Sequence, residues 1–115
     1  DADVIITNPT HYAVALKYNL DNMDTPVLIA KGVDHVALKI REIAKAHSIE
    51  IIESPQLARS IYYTTDLDTQ IPNGLYVAVA QVLAYVFQLR SYRKGQGDRP
   101  VYPRRLQVPP NLRYD

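Results

Sequence analysis

At Asp34 the hydrophobic rhythm of the chain changes from a period of two residues to one of 3.6, which narrows the folds open to it. Upstream, DVIIT (3–7) is a short β-branched run. HYAVALKYN (11–19) alternates, with Tyr12, Val14, Leu16 and Tyr18 on one side. PVLIAKG (26–32) opens on a proline and closes on a glycine. These predict three strands, with the polar LDNMDT (20–25) as a loop between the second and third. Downstream, DHVALKIREIAKAH (34–47) brings Val36, Ala37, Ile40, Ile43 and Ala44 to one helical face, with Asp34 as its N-cap. IEIIES (49–54) returns to strand.

Two more helices follow. Ser54-Pro55 is a capping hydroxyl before a proline at the first helical position, and Leu57, Ala58, Ile61 and Tyr62 supply the apolar side. Pro72 opens the last helix, over Asn73 to Lys94. From Gly95 the chain holds four of its eight prolines, so 95–115 reads as an extended, solvated, polyproline-like tail. The order β-β-β-α-β-α-α predicts an α/β (α+β) domain over 1–94, a small mixed four-stranded sheet flanked by helices. Its β-α-β passage implies a parallel pair and its opening hairpin an antiparallel one.

Composition excludes several functions. The 115 residues suffice for one core. No cysteine is present, so disulfides and thiolate metal sites are ruled out. With 13 basic and 12 acidic residues the net charge is +1, giving no dense basic stripe for nucleic acid. The apolar stretch from Leu75 to Phe87 falls short of the roughly 20 residues a membrane span requires. The first residue is not methionine, and a piece of a longer protein is expected. Glycines stand only at 32, 74, 95 and 97, so no Gly-rich loop cradles a phosphate. His11, His35 and His47 show no ligand spacing. Neither cofactor nor metal is expected.

Asn8-Pro9-Thr10-His11 joins the first two strands. Asn-Pro is common at turns, because Asn bonds its own backbone and Pro pre-sets φ. It also has one chemistry of its own. Proline has no N–H to attack the asparagine side chain. The reverse attack remains: the Asn8 carboxamide nitrogen adds to the Asn8 carbonyl carbon, forms a succinimide and expels the proline nitrogen. A tight turn would make this intramolecular, and strain would weaken the amide. His11 is a candidate base or acid, and Thr10 a hydroxyl donor to the turn or to the developing oxyanion. Plain turn and self-cleaving turn both stand on these residues alone.

DVIITNPTHYAVALKY, PVLIAKG, ALKIREIAKAH, SPQLARSIYY and IPNGLYVAVAQVLAYVFQL occur in this order over about residues 1–94. Together they resemble the cytoplasmic domain of the FlhB/YscU/SpaS family of type III export-gate proteins, its flagellar branch more than its injectisome branch. The resemblance implies single-turnover self-cleavage between Asn8 and Pro9, with Thr10 and His11 assisting. It implies a switch of export from rod- and hook-type to filament-type substrates. It also implies a location at the cytoplasmic face of the inner membrane, at the flagellar base, anchored by an N-terminal transmembrane part. Implied partners are an FlhA-type gate protein, a FliK-type hook-length protein and the rod and hook substrates. An apolar pocket for an early-substrate signal maps onto Thr25, Pro26, Ala80 and Leu83; core packing is the other reading of Ala80 and Leu83. A small ligand-binding enzyme and a non-cleaving adaptor are the contrasting classes.

Overall fold

The computed structural model describes residues 1–18 and 25–114, so most of the loop expected over 20–25 lies outside the described residues. The elements are β1 (Val4–Asn8), β2 (Tyr12–Lys17), β3 (Val27–Val33), α1 (Asp34–Ala46), β4 (Glu50–Glu53), α2 (Pro55–Thr64), β5 (Thr69–Gln70) and α3 (Tyr76–Arg93). Single 3-10 turns stand at Asn73–Leu75 and Pro110–Leu112.

The described residues form a mixed sheet of five strands, ordered β4-β1-β2-β3-β5, where four were expected. The extra strand, β5, is two residues set antiparallel to β3, with Val27 opposite Gln70 and Leu28 opposite Thr69. Two residues are too few to show a hydrophobic period. The parallel pair also differs from the expectation. β4 pairs with β1, Val4–Thr7 against Glu50–Glu53, and not with β3. Hairpin partners already occupy β2 on both edges, so the crossover through α1 carries the chain to the open edge of β1.

Both faces of the central strands are buried. Val4, Ile6, Val14, Leu16 and Leu28 pack with Leu57 and Ile61 of α2 and Val79, Val82 and Val86 of α3. The alternate residues Ile5, Ala13 and Ala15 face the other way, against Ala37 and Ala44 of α1. Small side chains let α1 lie close to the sheet. A Cβ on Gly32 would fall 2.1 Å from Val36 Cγ1, so the strand needs glycine where the helix begins. The close seat narrows the buried stripe of α1: Val36 and Ile43, expected in the core, are about half exposed. Nor is Asp34 the N-cap. Val33 holds that position, and Asp34 is the first helical residue with a left-handed φ of 47°.

Helix α2 begins at Pro55 as expected, with Ser54 as N-cap, but the Ser54 hydroxyl makes no capping bond. At its other end Lys31 of β3 donates to the carbonyls of Tyr62 (2.8 Å) and Thr65 (2.7 Å), satisfying acceptors the helix leaves open. Helix α3 starts three residues later than expected, because a 3-10 turn precedes it. Among the described residues no helix is long and apolar enough to cross a membrane.

The tail departs most from expectation. It is irregular, as its prolines require, yet it is not a solvated extension. Val108 is 2% exposed within the main core, and Tyr102, Leu106 and Leu112 pack against that core. Leu112 fills the space over Gly74, where a Cβ would lie 2.5 Å from its Cδ1. The Tyr102 hydroxyl accepts from the Glu53 N–H (3.1 Å), and the Tyr114 ring stacks on Tyr63 at 5.1 Å.

Candidate functional site: the turn from Asn8 to His11

Strand β1 is hydrogen-bonded on both sides, and its pairing with β2 extends to Asn8 opposite Tyr12. On the other side Ser54 N–H donates to the Thr7 carbonyl at 2.9 Å. The sheet therefore holds the chain rigidly up to Asn8. The next three residues leave it as a tight turn, closed by the His11 N–H donating to the Asn8 carbonyl at 2.9 Å. Asn8 and Pro9 are half-buried, Thr10 and His11 exposed.

The closing bond has a chemical consequence. The Asn8 carbonyl is the group a cyclising side chain would attack, and a backbone N–H already points at its oxygen. That donor withdraws electron density and stands where an oxyanion would form. The donor at that oxygen is the His11 backbone N–H, whereas the Thr10 hydroxyl bonds none of the described residues. The Asn8 carboxamide likewise bonds none of them.

His11 Nδ1 lies 3.3 Å from Asp34 Oδ1. A carboxylate only accepts, so Nδ1 carries a proton and the neutral ring has its lone pair on Nε2. The Asp34 N–H also donates to the His11 carbonyl at 3.0 Å. The turn itself has no left-handed residue among Asn8, Pro9, Thr10 and His11; that conformation belongs to Asp34, against it. From two turns further along α1, Arg41 Nη1 donates to the Pro9 carbonyl. Nothing local to the tetrapeptide pointed to Arg41, and Asp34 was legible only as a helix-starting residue.

Tyr12, just after the turn, bonds the Tyr63 hydroxyl at 2.7 Å within a cluster of Tyr62, Tyr63 and Tyr114. That bond raises the Tyr12 phenol above its ordinary value, with burial adding to it. His35 and His47 stand apart on α1 and its end, and among the described residues no three His, Cys, Asp or Glu side chains cluster as a metal site would require.

The four residues of the expected pocket are partly together. Thr25 Oγ1 donates to the Tyr76 hydroxyl at 2.9 Å, and the Pro26 carbonyl accepts from Ile71 N–H at 3.2 Å. Ala80 is exposed one helical turn beyond Tyr76. Leu83 is 5% exposed and belongs to the main core.

Turn, sheet and flanking helices together define a known class. The model of the FlhB HrpN YscU SpaS Family matches residues 1–86, and the chain belongs to that family. Its fold superposes on the crystal structure of the cytoplasmic domain of FlhB from Shewanella putrefaciens with a TM-score of 0.90, at 57% identity over 98% of this chain and 88% of that one. A mutated EscU C-terminal domain matches with a TM-score of 0.72, 34% identity and 74% and 85% coverage. Within the family, the flagellar biosynthetic protein FlhB of Salmonella typhimurium is 50% identical over 96% of this chain. That of Bacillus subtilis is 52% identical over 77% of it. The chain spans only 29% and 25% of those relatives' own lengths.

Proposed function

We propose that this domain cuts its own backbone once, between Asn8 and Pro9, and that the cut sets the substrate class of a flagellar type III exporter. Asn8 Nδ2 attacks the Asn8 carbonyl carbon. The new C–N bond closes a succinimide while the bond to Pro9 nitrogen breaks. One carboxamide proton ends on that nitrogen, by way of His11 Nε2. Water later opens the succinimide. This is an asparagine peptide lyase reaction without turnover.

The observation that carries the reading is the 2.9 Å bond from His11 N–H to the scissile carbonyl, in a turn whose leaving residue is proline. A polarised electrophile, an unengaged carboxamide nitrogen and a fixed geometry are what intramolecular attack requires. The fold also tolerates the cut. Val4, Ile5 and Ile6 are buried and bonded to β2 and β4, so the severed strand remains seated. Only Pro9, Thr10 and His11 gain freedom to present a new surface.

The relatives named FlhB support the flagellar branch over the injectisome branch. On this reading the domain works at the cytoplasmic face of the inner membrane, with an FlhA-type gate protein, a FliK-type length sensor and rod or hook substrates as partners. The surface of Thr25, Pro26, Tyr76 and Ala80 would receive a substrate signal. N-terminal sequencing of the purified chain tests the cut: a second sequence beginning at Pro9 is expected. Pro9→Ala restores an N–H and should slow or redirect the reaction. A single sequence beginning at Asp1 would contradict it.

A further inference from the structure

We infer that Asp34 and Arg41 of α1 are positioning residues for the Asn8–Pro9 cut, holding the leaving side of the scissile amide in register with the sheet-bound attacking side. The inference rests on the self-cleavage reading and deepens it.

The two sides of the scissile bond are anchored by different elements. Asn8 belongs to the sheet through its pairing with Tyr12. Pro9 and His11 are held by α1: Arg41 donates to the Pro9 carbonyl, and Asp34 engages His11 twice, through its N–H (3.0 Å) and its carboxylate (3.3 Å). The Pro9 carbonyl oxygen is three covalent bonds from the nitrogen that must leave. Fixing that oxygen fixes the rotation of the proline unit. With Asn8 locked in the sheet, it also fixes the plane that the carboxamide must approach. The Asp34 contact holds the imidazole by Nδ1 and leaves Nε2 for proton transfer.

Both residues show signs of being held for this purpose. Asp34 is left-handed, at φ 47°, a conformation that costs an L-residue energy, and in it the backbone N–H meets His11. Arg41 is half-buried, and its Nε is shielded from solvent and bonds none of the described residues. A guanidinium serving only as surface charge would keep that donor in water. Arg41 accepts the burial while its terminal nitrogen reaches the turn. The short seat of α1 over Gly32, Ala13 and Ala15 brings its first two turns within reach.

The test follows cleavage of newly made chain. Wild type, Arg41→Ala, Arg41→Lys and Asp34→Gly are made by cell-free synthesis, and the intact fraction is followed by mass spectrometry. Glycine keeps the left-handed backbone and its N–H while removing the carboxylate. Arg41→Ala should cleave about 10- to 100-fold more slowly, the scale of a small misplacement of reacting groups. Arg41→Lys should fall between it and wild type. Asp34→Gly should slow cleavage by a smaller factor and alter its pH profile. Low-millimolar guanidinium should partly restore Arg41→Ala, where equal sodium chloride should not. Thermal unfolding of each variant combined with Asn8→Ala reports the fold. Wild-type rates in Arg41→Ala and Asp34→Gly overturn the inference alone. So does slowing that tracks lost thermal stability and resists guanidinium. A wild-type chain that never cleaves overturns the self-cleavage reading as well.

Discussion

The two faces of the sheet are built differently. One face carries Val4, Ile6, Val14, Leu16 and Leu28 under α2, α3 and the tail, a core of large branched side chains. The other carries Ile5, Ala13 and Ala15 under α1, where alanine meets alanine. Large residues bury more apolar area and contribute more stabilisation, roughly 25 cal/mol per Å². Small ones let a helix approach closely. The first face therefore holds the hairpin in place, and the second brings Asp34 and Arg41 to the turn between its strands. Stability and the geometry of the turn are supplied from opposite sides of the same two strands.

That division can be broken from either side. Leu16→Ala opens a cavity in the large-residue face and should cost about 2–5 kcal/mol, read by urea denaturation in an Asn8→Ala background. In chain that is folded, it should leave the cleavage rate unchanged. Gly32→Ala pushes a methyl against Val36 and should cost less, about 1–3 kcal/mol. It should nevertheless slow cleavage, because it shifts the helix that holds the turn. Equal effects of the two variants on cleavage would erase the distinction between the faces.

The tail sharpens the comparison, since it belongs wholly to the first face. Val108→Ala should cost about 1–2 kcal/mol by denaturation; a tail that is only solvated would show no change. The smallest effect is expected at Tyr12. Its phenol is raised above the ordinary value by the bond to Tyr63, so the bond contributes stability below about pH 10. That contribution is lost as pH rises through the folded value. Tyr63→Phe should flatten the alkaline fall in melting temperature.

Legibility in the sequence followed locality. The β-branched runs and the helical spacing from Asp34 express their partners' presence in their own periods, so β1 to β4 and all three helices were readable. β5 is too short to have a period. The pairing of β4 with β1 depends on which sheet edge is vacant, and no single segment encodes that. The prolines of the tail correctly predicted irregular backbone. They hid its docking, although Tyr102, Leu106, Val108 and Leu112 were apolar residues in want of a partner. At the turn, the chemistry proposed for Asn8-Pro9 could be derived from the sequence because it lies within two residues. Thr10 was expected to donate to the turn or to a developing oxyanion; the N–H at the Asn8 carbonyl is that of His11, which no side-chain pattern announces. Arg41 reaches the Pro9 carbonyl across 32 positions and left no signal near the turn.

The most direct measurement is the mass spectrum of the chain after incubation at neutral to alkaline pH, taken beside Asn8→Ala. The account predicts two species from the wild type, residues 1–8 and 9–115, and one intact species from the variant. A wild-type chain that stays whole after prolonged incubation would contradict it.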